Sequence, residues 1–168
     1  MPPSDMPDRS EKSPSAACAQ KALKVSAKAR YALRILLDVA THASSETPRT
    51  GAAIAKAQQI SEKFLSRIVV TLRERGMLRS VRGNVGGFQL AMSPDDIRLL
   101  DVVEAVQGPL AILDCLAPGA ACPRQATCLA RRVWADVNAS FAATLAKVTL
   151  ASILRRDPNA ARTLDYCI

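Results

Sequence analysis

Apolar residues recur at helical spacing along most of this chain, and the polar breaks between them fall where caps and turns belong. Tyr31, Ala32, Ile35, Leu36 and Val39 share one face of a helix expected over about Ser26–Ala43. Lys28, Arg30, Arg34 and Asp38 mostly point in other directions, and the polar stretch Ser44–Arg49, with Pro48, closes the element. Thr50 can cap a short second helix through Ala57, anchored by Ile54. Gln58–Ile60 has the length of a helix-turn-helix turn. Ser61 then caps a third helix, with Glu62 near its positive end and Leu65, Ile68, Val69 and Leu72 as a core stripe. Gly76 follows Arg73 and Arg75 and ends it.

The period then changes. Met77–Val81 and Phe88–Ala91 are two short strands joined by Arg82-Gly83-Asn84-Val85-Gly86-Gly87, a tip rich in residues that tolerate positive φ. Ser93-Pro94-Asp95-Asp96 starts a further helix that buries Ile97, Leu100, Val103 and Val106 and ends at Gly108-Pro109. A loop over residues 115–128 precedes a long helix, about Leu129–Leu154, striped with Trp134, Val137, Phe141, Leu145 and Val148. Helix, turn, helix and hairpin in this order specify a mainly α, winged helix-turn-helix fold with a long C-terminal dimerisation helix. So late a helix has little of its own chain left to cover it, and a two-fold homodimer supplies the cover. The expected organisation is an N-terminal extension without fixed structure (1–22), a winged-helix domain (23–108), a cysteine loop (109–128), a dimerisation helix (129–155) and a flexible tail (156–168). No internal repeat is present.

Charge gives this pattern a partner. The 168 residues carry 23 Lys and Arg against 15 Asp and Glu, a net charge of +8. Between Gly51 and Met92 the cations Lys56, Lys63, Arg67, Arg73, Arg75, Arg79 and Arg82 face only Glu62 and Glu74, a surplus of +5. Double-stranded DNA is the polyanion such a surface suits. In a winged helix, the second helix of the pair enters the major groove and the hairpin tip follows the backbone or the minor groove. Ser61, Lys63, Ser66 and Arg67 are candidate contacts on the helix, and Arg79 and Arg82 on the wing. Arg can bond guanine twice, and Arg82 has glycines around it that let backbone approach DNA. Arg75 also suits the negative end of its own helix. A protein-interaction module with a solvated basic face would show the same pattern without salt-dependent DNA binding. No Ser–His–Asp set, phosphate loop or catalytic carboxylate pair stands out, so an enzyme is not expected.

Five cysteines add a second chemistry. There is no apolar run of membrane-spanning length, and Met1–Gln20, with four prolines, lacks the apolar core of a signal peptide. A cytoplasmic chain follows, with reduced thiols. Cys115, Cys122 and Cys128 stand as Cys-x6-Cys-x5-Cys in a loop with Pro118, Gly119 and Pro123. Three soft donors suit an iron–sulfur cluster, whereas structural zinc sites use paired Cys-x2–4-Cys knuckles. A redox-active thiol pair, bound zinc, or cysteines packed as small apolar residues are the alternatives. Cys18 and Cys167 lie in the terminal segments and read as incidental.

Three stretches together resemble the Rrf2 family of winged-helix transcription regulators: Ala27-Lys28-Ala29-Arg30-Tyr31-Ala32-Leu33, the wing Ser80–Phe88, and the cysteine triplet followed by a long helix. The likeness covers about Leu23–Leu154. It implies a dimeric repressor whose affinity for a pseudo-palindromic operator is controlled by a 2Fe–2S or 4Fe–4S cluster sensing iron, nitric oxide or redox state. By position it implies Cys115, Cys122 and Cys128 as ligands, and Ser61, Lys63, Phe64, Arg67 and Arg82 as DNA-facing. Two ligand positions known in the family differ here. Arg131 stands where some members have His, and Arg30 where others have an acidic residue from the partner subunit. The fourth ligand is therefore unassigned, with Asp114 and His42 as candidates. An open fourth site would be reactive toward nitric oxide or oxygen.

Overall fold

A computed structural model describes residues 25–42, 48–83 and 86–156. The expectations for residues 1–22, Cys18, Ala43, Ser44–Thr47, Asn84, Val85, Cys167 and the tail beyond Arg156 lie outside these residues.

Helix α1 spans Ala27–Thr41, α2 Gly51–Gln58 and α3 Glu62–Glu74. Their starts are capped by hydroxyls: Ser26 Oγ accepts the Ala29 amide at 3.1 Å, Thr50 Oγ1 that of Ala53 at 3.2 Å, and Ser61 Oγ that of Phe64 at 3.2 Å. Each such cap stabilises its helix by about 1 kcal/mol. The α2–α3 turn is tight because Gln59 takes the left-handed conformation (φ 53°), while the Ile60 amide reaches back to Ala55 O at 3.0 Å. Gly76 ends α3 as its position predicts. It has φ 69°, its amide donates to Arg73 O, and the Met77 amide donates to Leu72 O, both at 2.9 Å.

Strands β1 (Leu78–Val81) and β2 (Gly87–Leu90) pair antiparallel, Leu78 opposite Leu90 and Val81 opposite Gly87. The core unites Ile35, Leu36 and Val39 of α1, Ile54 of α2, Leu65, Ile68, Val69 and Leu72 of α3, and Met77 and Leu78 where the wing begins. Ile97, Val102 and Leu150 close it from the C-terminal side. Tyr31 and Phe64 meet edge to face at its rim, their ring centroids 5.6 Å apart.

Three features depart from the sequence pattern. Helix α4 begins at Leu99, not at Ser93-Pro94, and buries Val102 and Val103, while Leu100 and Val106 are half-buried. The long C-terminal helix is interrupted: α5 covers Leu129–Lys147 and α6 Leu150–Leu154. Both changes have one cause. Residues 97–99 and 148–150 pair like strands, Leu99 N donating to Val148 O at 2.8 Å and Leu150 N to Ile97 O at 2.9 Å. β-Branched Val148 and Thr149 favour that extended state, and Thr149 then caps α6 in a reciprocal box with Ser152. The third departure is Asp38, a charged residue of α1 that is fully buried.

Candidate nucleic-acid interface and cysteine segment

The exposed side of α3 follows from its stripe. With Leu65, Ile68, Val69 and Leu72 facing the core, Lys63, Ser66, Arg67, Val70 and Arg73 must face solvent, and they do. Ser66 Oγ donates to Glu62 O at 2.8 Å, and the Ser61 oxygen is engaged as a cap. Phe64 is half-buried against Tyr31, so its place is at the core rim. Across from α3, Arg79 and Arg82 are exposed on the wing, and Arg79 is steadied by Gln89 Oε1 at 3.0 Å on the neighbouring strand. Val70, Arg73 and Glu74 of α3 and Arg79, Ser80 and Arg82 of the wing line one open groove. Among the described residues Lys63, Arg67 and Arg82 enter no ion pair, so their charge is available to an anion.

The cysteine segment is held at three points. Past Gly108, the Leu110 amide donates to Glu104 Oε1 of α4 at 3.0 Å. Asn138 of α5 grips the same stretch twice: its Oδ1 accepts from Ile112 N at 3.0 Å and its Nδ2 donates to Leu110 O at 3.2 Å. Cys115 follows in a single 3-10 turn, Asp114–Leu116. Cys122 precedes a turn, its carbonyl accepting from Gln125 N. Cys128 is the N-cap of α5, its Sγ accepting the Arg131 amide at 3.4 Å. Arg131 also donates through Nε to Cys115 O at 3.3 Å, so this one residue ties the first cysteine to the third.

All three thiols are free and half-buried. The described residues contain no group of three or more His, Cys, Asp or Glu gathered closely enough to hold a metal ion. Within the segment, Arg131 bridges the Cys115 carbonyl and the Cys128 sulfur. Asp114 is exposed beside Cys115. His42 lies elsewhere, at the end of α1, with Nδ1 2.7 Å from Asp38 O and 3.6 Å from Asp38 Oδ1. The donor set suits an iron–sulfur cluster in chemistry, with three soft sulfurs and an N–H directed at one of them. Asn138 and the role of Arg131 were not foreseen; the signal available was a lone amide between Trp134 and Phe141 on an otherwise apolar side.

The match to known proteins spans this whole architecture. The family model Rrf2, described as an iron-dependent transcriptional regulator, fits residues 25–156. The chain belongs to the Rrf2 family. Curated relatives include protein Rrf2 of Nitratidesulfovibrio vulgaris, 38% identical over 79% of this chain and 88% of that protein. Another is the transcriptional regulator IscR of Aliivibrio salmonicida, 33% identical over 79% of this chain and 77% of the relative. Among solved structures, IscR of T. potens superposes with a TM-score of 0.66 at 31% identity, covering 85% of this chain and 93% of that one. CymR of B. subtilis, described as its global cysteine regulator, gives 0.66 at 28% identity over 81% of this chain and 99% of that one. The expected winged-helix fold and family are thus met. As an Rrf2-family member the protein is a transcriptional regulator of a DNA-binding family, and its relatives are regulators, not enzymes. No helix among the described residues is long and apolar enough to cross a membrane.

Proposed function

We propose that this protein is a homodimeric repressor that reads a pseudo-palindromic operator with α3 and the wing. Its affinity would be set by an iron–sulfur cluster on Cys115, Cys122 and Cys128. The observation that carries the reading is the cysteine segment itself: three free thiols on a stretch hydrogen-bonded to α4 through Glu104 and to α5 through Asn138 and Arg131. The family's description as iron-dependent and the likeness to IscR proteins support the same chemistry. When bound, the cluster would supply a centre that responds to iron supply, oxidants or nitric oxide.

The chain's own residues do the rest. Lys63 and Arg67 present donors to base edges and phosphates, Ser61 and Ser66 lie at the same helix end, and Arg79 and Arg82 bring the wing to the backbone or minor groove. Leu129, Val133, Trp134 and Val137 leave one side of α5 apolar and exposed, which a second copy would cover. Two recognition helices must then sit about one DNA turn apart. Movement of the cysteine segment reaches α4 through Glu104, and α4 packs on both α1 and α3. A coupling of about 1–3 kcal/mol along that route would change affinity roughly 5- to 150-fold.

Anaerobically purified protein should be brown, with iron and acid-labile sulfide in equal amounts, both lost in Cys122→Ala. A colourless preparation without sulfide would sink the cluster reading. A second reading, a thiol-redox regulator, is favoured by the half-buried free thiols. It expects no sulfide and a Cys pair that oxidises and reduces reversibly in the same sample.

A further inference from the structure

The wing is a two-stranded ribbon, and two strands alone are marginally stable in water. What holds it here comes from outside the hairpin. Arg49 pairs with Phe88 on the free edge of β2: the Arg49 amide donates to Phe88 O at 3.0 Å, and the Phe88 amide donates to Arg49 O at 2.8 Å. The Arg49 side chain runs the other way, into the core, where Nε lies 3.2 Å from Asp38 Oδ2 and Nη2 3.4 Å from Asp38 Oδ1. Asp38 is wholly buried, and His42 Nδ1 also faces its Oδ1. One residue therefore links the wing's main chain to a carboxylate fixed in α1.

The junction is tight from the wing side as well. A Cβ on Gly87 would lie 2.5 Å from Arg49 O and 2.7 Å from Arg49 C, distances that no side chain tolerates. Next to it, the Phe88 ring lies over the start of α2: a Cβ on Gly51 would touch the Phe88 ring at 3.5 Å and a Leu65 methyl at 3.7 Å. A buried ion pair is weak evidence for stability, because desolvation offsets most of its attraction. Its directional value is greater: two N–H groups on two carboxylate oxygens fix the orientation of Arg49, and hence the edge on which β2 is seated.

We propose that Asp38 and Arg49, with Gly87 admitting the close approach of the Arg49 main chain, set the pose of the wing relative to α3, and so are positioning residues for the DNA contact made by Arg82. This rests on the reading of the wing as a DNA contact. Removing the Asp38 charge turns one of Arg49's two acceptors into an N–H donor, breaks the two-point hold and lets the wing swing, so Arg82 spends less time where the duplex meets α3. Gly87→Ala reaches the same junction by steric displacement and leaves Asp38 intact.

The test uses the full chain and a duplex recovered from a random-sequence pool by selection on the wild-type protein. Asp38→Asn and Gly87→Ala are each measured alone and combined with Arg82→Ala. Each should weaken binding about tenfold by itself, and less than about twofold when Arg82 is already gone. Equal losses in both backgrounds would overturn the proposal, since the pair would then act through α3 or general stability. Hydrogen exchange on the free protein separates the two readings. Asp38→Asn should speed exchange of the Arg49 and Phe88 amides about tenfold and leave those of Ile68 and Val69 unchanged. Unaltered exchange at Arg49 and Phe88 would refute the lock directly. Faster exchange combined with an Arg82→Ala variant of wild-type affinity would instead remove the wing as a DNA contact, and the positioning role with it.

Discussion

Helix α3 buries four of its thirteen residues, whereas none of the nineteen residues of α5 is buried. Yet α5 is not a polar helix: Leu129 is 73% exposed, Val133 62%, and Trp134 and Val137 46% each. The contrast separates two kinds of fold information. In α3 the apolar stripe is answered by α1, α2 and the wing of the same chain. In α5, Phe141 and Leu145 are half-buried by the chain, but Leu129, Val133, Trp134 and Val137 are left exposed, which is how a surface meant for a second molecule looks when one molecule is viewed alone. The reading half is closed by its own residues, and the half bearing the cysteines is the one on which the proposed second copy and cluster would act.

Substitutions should therefore act on different equilibria in the two helices. Leu72, fully buried in α3, is expected to lose about 2–5 kcal/mol of folding stability on Leu72→Ala, measured by urea unfolding. A loss much below that would mean the α3 core is looser than its burial indicates. Trp134→Glu places a charge on the exposed side of α5. It should leave helix content intact by circular dichroism while weakening self-association by about 2–4 kcal/mol in sedimentation equilibrium. A dimer unchanged by Trp134→Glu would put the two-fold interface elsewhere; an unfolded variant would show that α5 depends on Trp134 within its own chain.

The sequence reads unevenly along the same divide. The α3 stripe, the caps Thr50 and Ser61, the Gly76 stop and the hairpin were legible because each is set by residues within one or two turns of one another. Asp38 was not. On a helical projection it counts as a charged residue for solvent, and its burial is decided by Arg49, a residue beyond the end of α1. The break at Val148 and Thr149 escaped for the same reason: only pairing with residues 97–99, some fifty positions earlier, makes extension better than one more helical turn there. For the cysteines, donor chemistry was legible from residue type, but their arrangement was not. A loop has no period, and its path is drawn by single hydrogen bonds such as those of Arg131 and Asn138.

Asn138 marks the place where the two halves are joined. Its amide holds the Ile112 N–H and the Leu110 carbonyl onto α5, while Glu104 holds the Leu110 N–H to α4. Asn138→Ala deletes an acceptor and a donor at once in a half-buried place, where water can replace part of what is lost. The expected cost is therefore about 1–2 kcal/mol, smaller than for either substitution above. The effect should also be local. Hydrogen exchange at the Ile112 amide should rise while that of Leu72 stays at the rate of global unfolding. If Asn138 is a joint rather than a brace, the variant should keep its affinity for DNA yet lose the difference in affinity between cluster-loaded and cluster-free protein. A variant that retained the full difference would show that the signal bypasses Asn138 and passes through Glu104 or the Arg131 contacts.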